Sequence, residues 1–419
     1  LLTEFESVTG LRKIWTTFSA DQVDLNAKNP EVLLALLNAL LFYVSKGARY
    51  IRLDAIAYLW KTIGTNCIHL PETHRVIQVF RAVLLDVAPH VMLVTETNVP
   101  HADNISYFGD GQNEAQLVYN FALPPMVLHA LLRGDGRHLT RWAHDLKAPS
   151  DQTTFFNFLA SHDGIGLNPA RGLLPDSEIA YMVDRCQAHG GRISYKTNAN
   201  GTCSPYEMNI VFFDALNDCA AGEELELQVD RFLVSQAIML VLRGVPGIYF
   251  HSLFGSRNDF EAAASSGIHR RINRRKLEKA ELERELADPG SLRSRVFGPF
   301  CKMLKVRRNH AAFSPGVRQS VLDLDSRVFA LVRSSPDGDG RILCVNNVTC
   351  GSVSLSIDSD GVMDSGGTWK NLVGKESLHF AGKGSLSLTL RPYEFCWLKA
   401  EPEESMQINE QTAHGSVAG

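Results

Sequence analysis

The sequence contains no apolar run long enough to cross a membrane. Its most apolar stretch, "LLALLNALLFYV" (33–44), stops at Ser-Lys-Gly. That is short of the ~18 residues a spanning helix takes, so a core helix is expected there. Neither sign of charge is in excess. Lys and Arg number 42 against 46 Asp and Glu, for a net charge of −4, which offers no basic field to nucleic acid. Cysteine is sparse: 8 in 419 residues, with no CxxC pair and no Cys/His cluster at zinc spacing. No metal site is therefore expected, and the thiols read as mostly buried side chains of a reducing compartment, the cytoplasm. The opening "LLTEFESVTGLRK" has neither an initiating Met nor the look of a signal peptide. The native start is expected upstream, which leaves the absence of a leader uninformative. What remains, 45% hydrophobic and 21% charged, is globular composition with room for more than one domain.

The order of elements is legible. "NPEVLLALLNALLFYVSKGA" (29–48) reads as a helix capped by Asn29, with Pro30 in its first position and Gly47 at its end. "RYIRLDAIAY" (49–58) follows as a strand, and "ETHRVIQVFRAVLLDVA" (72–88) as an amphipathic helix stopped by Pro89. Further strands are expected at 90–99, 116–123, 153–163 and 245–252, with helices at 124–134 and 230–244. This alternation predicts a parallel sheet built of βαβ units. From about residue 318 short alternating strands are separated by "PDGDG" and "SDG" turns, the pattern of a small all-β domain. The charge-rich 270–291 reads as solvated helix and loop beyond its first residues, and the polar tail 401–419 as disordered.

Three acids share one setting. Asp54 in "IRLDAIAY", Glu96 in "VMLVTETN" and Asp163 in "FLASHDGIG" each stand near the C-terminal end of an expected strand. In a (β/α)8 barrel that end carries catalysis. Arg52 and Asp54 are two apart, hence on one face of a strand. A structural ion pair would explain them, and so would a nucleophile kept ionised by its neighbour. A lone acid after a strand is ordinarily a cap or turn residue. Three of them, one beside Arg and one beside His, suit glycoside cleavage with retention. In that reaction one carboxylate attacks the anomeric carbon, and a second about 5–5.5 Å away serves as acid and then base. A third can bind sugar hydroxyls more tightly as the ring flattens.

With these motifs the chain resembles the α-amylase superfamily, glycoside hydrolase family 13, and within it the sucrose phosphorylase branch, from about residue 10 to 400. The resemblance implies a (β/α)8 TIM barrel with a C-terminal all-β domain. Only the family's fourth to eighth strands are recognised, which implies an N-terminally truncated barrel. The implied domains are a barrel-insert remnant (1–28), the C-terminal part of the catalytic barrel (29–317), a β-sandwich (318–400) and the disordered tail (401–419). It implies Asp54 as nucleophile with Arg52 as its partner, Glu96 as acid/base, His162 as a sugar-hydroxyl ligand and Asp163 as transition-state stabiliser. "TTFSADQVDLN" (16–26) matches the barrel-insert motif and carries over Phe18 and Gln22 as substrate contacts. Tyr58 matches a sugar-side aromatic, though it could simply pack behind the strand. "SPYEMN" (204–209) matches the acceptor loop, with Tyr206 at its tip, and "RRIN" (270–273) an arginine segment of the glucose subsite, with Arg270 the better candidate. Arg171, in a loop after Asp163, could meet an anionic acceptor or phosphate, or simply be solvated.

Two departures from the family matter. Its earliest motif, an Asp and an Asn-His pair, is absent. The acceptor loop has Glu207 where sucrose phosphorylase has Gln. The segments 65–74 and 113–125 look more like the glucosylglycerate phosphorylase group. The expected activity is a retaining α-glucoside phosphorylase taking a sugar substrate and inorganic phosphate, without metal or organic cofactor, with a homodimer as a possible assembly. The rivals are a sucrose or sucrose 6-phosphate phosphorylase, a retaining α-glucosidase or transglycosylase, and a non-catalytic amylase-like binding protein or inactive fragment.

Overall fold

The computed structural model describes residues 2–198, 201–218, 220–336, 340–358, 362, 367–374, 377–380 and 385–400. The expected tail and the "SDG" turn lie outside them, as does most of the "PDGDG" turn. By its contacts the chain divides into one unit of residues 1–121 and 147–156 and a second of residues 122–146 and 157–419.

The first unit opens with an antiparallel hairpin, β1 (Leu2–Ser7) and β2 (Gly10–Trp15), paired from Leu2↔Trp15 to Ser7↔Gly10. Helix α1 (Pro30–Ser45) begins as its sequence signals: Asn29 accepts a hydrogen bond from the Glu31 N–H, and Pro30 occupies the first turn. Then come β3 (Tyr50–Leu53), α2 (Pro71–Val87), β4 (Met92–Thr95), the short α3 (His101–Ile105), β5 (Leu117–Tyr119) and β6 (Thr154–Asn157). These four strands pair in parallel, with registers Arg52↔Val94, Val94↔Leu117 and Leu117↔Thr154. Each is shorter than the apolar run around it. Asp54 and Glu96 directly follow β3 and β4 because the backbone leaves the ladder just before them.

Helix α1 is not the core helix its composition suggested. Leu40 is its one buried residue, while Leu34, Phe42 and Tyr43 are exposed. A helix that is apolar all round needs cover on every side. Within this unit its Leu33 and Leu37 only line an apolar cleft of about 670 Å3 with Trp60, Val76, Val79 and Phe80.

The second unit holds α4 (Leu123–Arg133), α5 (Arg137–Asp145), β7 (Ile165–Gly166), α6 (Asp176–Ala188), β8 (Arg192–Thr197), β9 (Cys203–Asn209), α7 (Phe212–Leu216) and α8 (Leu225–Val241). It continues through β10 (Val245–Pro246), α9 (Phe250–Leu253), α10 (Phe260–Ser266), α11 (Lys279–Ala287) and α12 (Leu292–Asn309). The strand expected over 245–252 is only two residues long, and α9 takes over after it. Helix α11 buries nothing, in keeping with its charge. Strands β7, β9 and β8 form a small antiparallel sheet in that order. Eight strands follow: β11 (Gln319–Leu322), β12 (Val328–Ser334), β13 (Arg341–Asn347), β14 (Val353–Asp358), β15 (Gly367–Asn371), β16 (Ser377–Phe380), β17 (Ser385–Leu390) and β18 (Phe395–Ala400). They make an antiparallel sheet in the order β11-β12-β13-β18-β15-β16 and a β14-β17 ribbon. "VSLSID" and "SLSLTL" alternate buried and exposed residue by residue, placing Val353, Leu355, Leu386 and Leu388 in a core with Trp369 and Leu398.

Candidate active site

In the first unit the apparatus gathers at the C-terminal ends of β3 and β4. Arg52 and Asp54 share a face, as the two-residue spacing requires, and Arg52 Nη1 lies 2.7 Å from Asp54 Oδ1. Asp54 stands just past the strand with its side chain 72% exposed, open to a reacting partner. Strand pairing brings Glu96 alongside: the Glu96 N–H donates to the Leu53 carbonyl at 3.1 Å. The buried Glu96 carboxylate then accepts from the Ala55 N–H at 2.8 Å, and Arg52 Nη2 is 3.8 Å from the same oxygen. One guanidinium therefore faces both carboxylates, and Arg52 also sits over the Tyr119 ring at 5.5 Å.

Ala55 makes this possible at a conformational cost. Its φ of 46° and ψ of 33° lie in the left-handed region, unfavourable for a residue with a Cβ. That twist turns its N–H toward Glu96 immediately after Asp54. The short 3-10 turn Ile56–Tyr58 follows, so Tyr58 is not on the strand.

Phe18, Gln22 and Tyr58 do come together with Asp54. They line one cavity of about 270 Å3, into which Asp24 and Lys61 also face. The Phe18 and Tyr58 rings meet edge to face at 5.4 Å. Burial beside Glu96 pushes the Tyr58 phenol above its usual range, so it remains a neutral hydrogen-bonding group. Beneath these rings is a clamp that sequence reasoning missed. Lys61 Nζ lies 2.6 Å from Asp24 Oδ2, both side chains being about 15% exposed or less. Lys61 also donates to the Tyr58 carbonyl. Asp24 in turn accepts from the Thr17 N–H at 2.9 Å and hydroxyl at 2.6 Å. The pair thus ties the loop bearing Phe18 and Gln22 to the turn bearing Tyr58. Burial opposes the Asp24 charge, but the hydrogen bonds from Lys61 and Thr17 outweigh it and hold the carboxyl below its ordinary range.

In the second unit Asp163 is not at a strand end. β6 stops at Asn157, and Asp163 sits six residues later in a loop. The loop is held from outside: Asn273 Nδ2 donates to the Asp163 carbonyl at 2.8 Å and to the Ser161 carbonyl at 3.2 Å. Two guanidiniums converge on Asp163 Oδ1, Arg270 Nη1 at 2.7 Å and Arg274 Nη2 at 3.2 Å. His162 Nε2 is 3.7 Å from the other oxygen, and Arg274 Nε donates to the His162 carbonyl at 2.6 Å. Arg270 was expected here. Arg274 was not singled out, although "RRINRR" puts it one turn beyond.

Tyr206 is not at a loop tip. It lies within β9, and its carbonyl accepts from the Leu167 N–H at 3.0 Å. "SPYEMN" forms a strand because β7 and β8 flank it on both edges. Its neighbour Glu207 is 1% exposed and holds Arg270 by two hydrogen bonds, to Nε at 3.0 Å and Nη2 at 2.6 Å. Burial works against the Arg270 charge, but Glu207 and Asp163 outweigh it and raise its pKa. Arg171 reaches the Pro205 carbonyl and Asp176, each at only 3.5 Å. Among the described residues no group of three or more His, Cys, Asp or Glu side chains could hold a metal ion, and no helix is long and apolar enough to cross a membrane.

Residues 14–163 match the α-amylase catalytic domain and residues 320–397 the maltogenic amylase C-terminal domain. The chain is 47% identical over 398 residues to a glucosylglycerate phosphorylase of Allomeiothermus silvanus, covering 95% of this chain and 68% of that protein. It is 52% identical over 349 residues to one of Spirochaeta thermophila, covering 83% and 59%. It thus spans about two thirds or less of these relatives. A crystal structure of sucrose 6F-phosphate phosphorylase from Thermoanaerobacter thermosaccharolyticum superposes with a TM-score of 0.70 at 23% identity, over 86% of this chain and 69% of that one. The architecture is accordingly the amylase TIM barrel with a C-terminal all-β domain. The chain belongs to the α-amylase superfamily, glycoside hydrolase family 13, among its retaining α-glucoside phosphorylases.

Proposed function

We propose that the full-length protein cleaves glucosylglycerate with inorganic phosphate, and that Asp54 and Glu96 carry the chemistry. The observation that supports this best is the placement of both carboxylates against one arginine, with the Ala55 N–H on Glu96. Asp54 attacks the anomeric carbon while Glu96 gives its proton to the departing glycerate oxygen, leaving a β-glucosyl ester on Asp54. A phosphate oxygen then attacks the same carbon from the vacated face. Its proton passes to Glu96, the ester bond to Asp54 breaks, and α-glucose 1-phosphate leaves with net retention. By the family resemblance His162 and Asp163 bind sugar hydroxyls, Asp163 more tightly as the ring flattens, and Arg270 and Arg274 hold Asp163. Phe18, Gln22 and Tyr58 wall the sugar pocket. The names of the relatives at 47% and 52% identity favour glycerate as acceptor over fructose or its phosphate.

The test is phosphorolysis by the full-length protein of glucosylglycerate, sucrose and sucrose 6-phosphate in parallel. Phosphate-dependent release of α-glucose 1-phosphate is expected from the first alone. Asp54→Ala and Glu96→Gln should each abolish it. Release of free glucose at the same rate without phosphate would make the protein a hydrolase instead.

A further inference from the structure

We infer that Glu207 is a positioning residue that sets Asp163 through two separate handles, its side-chain partner and its backbone. The inference rests on the retaining mechanism proposed above.

A glutamate in a strand, 1% exposed, is unusual enough to require a reason. It is not a nucleophile or a proton carrier, because its oxygens are occupied by fixed donors. Oε1 accepts from Arg270 Nε at 3.0 Å and from the Gly164 N–H at 2.7 Å, and Oε2 from Arg270 Nη2 at 2.6 Å. Arg270 is thus gripped along one edge, which points its remaining Nη1 at Asp163 Oδ1, 2.7 Å away. The Gly164 N–H is the peptide immediately after Asp163, so the same carboxylate also fixes that backbone. Residue 164 must be glycine for this approach: a Cβ there would stand 2.5 Å from the Met208 carbonyl oxygen and 2.6 Å from Glu207 Oε1.

The charges balance. Two carboxylates, Asp163 and Glu207, meet two guanidiniums, Arg270 and Arg274. A glutamine at 207 would still accept from Gly164 but would supply only one acceptor to Arg270 and no charge. Arg270 would then turn toward Asp163 as an ungripped cation, and both oxygens of Asp163 would be drawn to arginine rather than to sugar. Glu207 therefore holds Arg270 on Oδ1 and leaves Oδ2 for a substrate hydroxyl.

The experiment compares two activated α-glucosyl fluorides, the parent sugar and its 2-deoxy analogue, by fluoride release from the full-length protein. This readout needs glucosyl transfer to the enzyme but neither phosphate nor glycerate. With Asp163 placed on the 2-hydroxyl, whose hydrogen bonds strengthen in the transition state, a residue that positions Asp163 matters most when that hydroxyl is present. Glu207→Gln should lower kcat/KM about 30-fold for the parent fluoride and under about threefold for the analogue. In an Arg270→Lys background the same substitution should add no more than about threefold, since it acts through Arg270. Equal losses on both donors, or full additivity with Arg270→Lys, would overturn the inference. If Glu207→Gln fails to fold, Arg270→Lys alone decides, with the same donor discrimination expected and equal losses refuting it. No fluoride release by the unsubstituted protein would overturn the retaining mechanism itself, and the inference with it.

Discussion

Lys61→Met removes the cation from the clamp that ties the Phe18 loop to the Tyr58 turn and keeps most of the side chain's bulk. Lys61 pairs with Asp24 at 2.6 Å, donates to the Tyr58 carbonyl and lies over the Trp15 ring at 5.9 Å. Stripping one partner from a buried ion pair costs about 3–5 kcal/mol, because the other charge stays behind. This pair is only part-buried and Asp24 keeps its two Thr17 donors, so the cost falls below that range, about 2 kcal/mol. Every 1.4 kcal/mol is a factor of ten. If the whole cost falls on ordering the loop that carries Phe18 and Gln22, the donor KM rises by up to about 30-fold. The carboxylates are untouched, so kcat should fall much less. Steady-state kinetics and urea melts read the two effects. Adding Asp24→Asn should recover part of the lost stability, with a coupling of about 1 kcal/mol or more, since the stranded charge is gone. A pH series adds an independent check. The Asp24 carboxyl is held below its ordinary range in the folded protein. Its contribution is therefore complete above about pH 3.9 and lost as pH falls through the lower folded value. The melts of the parent and Lys61→Met should converge on acidification. A variant with unchanged midpoint and KM within threefold, or full additivity with Asp24→Asn, would refute the clamp.

Three further outcomes are expected. Phe18→Ala and Tyr58→Ala should each raise the donor KM, with a coupling of about 0.5–1.5 kcal/mol for the edge-to-face pair at 5.4 Å, measured by a double-mutant cycle; simple additivity would place the rings apart. Gly164→Ala should destabilise by about 1–3 kcal/mol and depress activity, since its Cβ would overlap Glu207 and the Met208 carbonyl; a neutral melt would refute that packing. His69, His101, His129, His189 and His251 all have pKa values lowered by burial. They bind protons more weakly folded than unfolded, so their contribution is complete above about pH 6.5 and lost as pH falls through the folded values, at most about 1.4 kcal/mol per pH unit each. Urea midpoints that hold steady from pH 7 to 5 would contradict this.

Local signals in the sequence carried a good part of the molecule. The Asn29-Pro30 start of α1, the alternation in β14 and β17, and the two-residue spacing of Arg52 and Asp54 depend on neighbours within a turn or a pleat. They survive folding unchanged. The places of Asp54 and Glu96 just past β3 and β4 were legible for the same reason, because each directly follows a short apolar run that must be a strand. The misreadings arose where context replaces pattern. "SPYEMN" became a strand only because β7 and β8 pair with it. Asp163 left its strand because Asn273 and two arginines hold its loop, and helix α1 stayed exposed because the described chain covers only part of its surface. The contacts that set the geometry of the site join residues distant in sequence: Glu207 to Arg270 across 63 positions, Gly164 to Glu207 across 43, and Ala55 to Glu96 across 41. The sequence by itself determined which residues could do the chemistry, since charge, hydroxyl and ring are fixed by residue type. Which carboxylate is gripped, and which arginine does the gripping, were decided only in the tertiary structure. Hydrogen bonds need atoms within about 3 Å, and no spacing along the chain encodes that distance between strands so far apart.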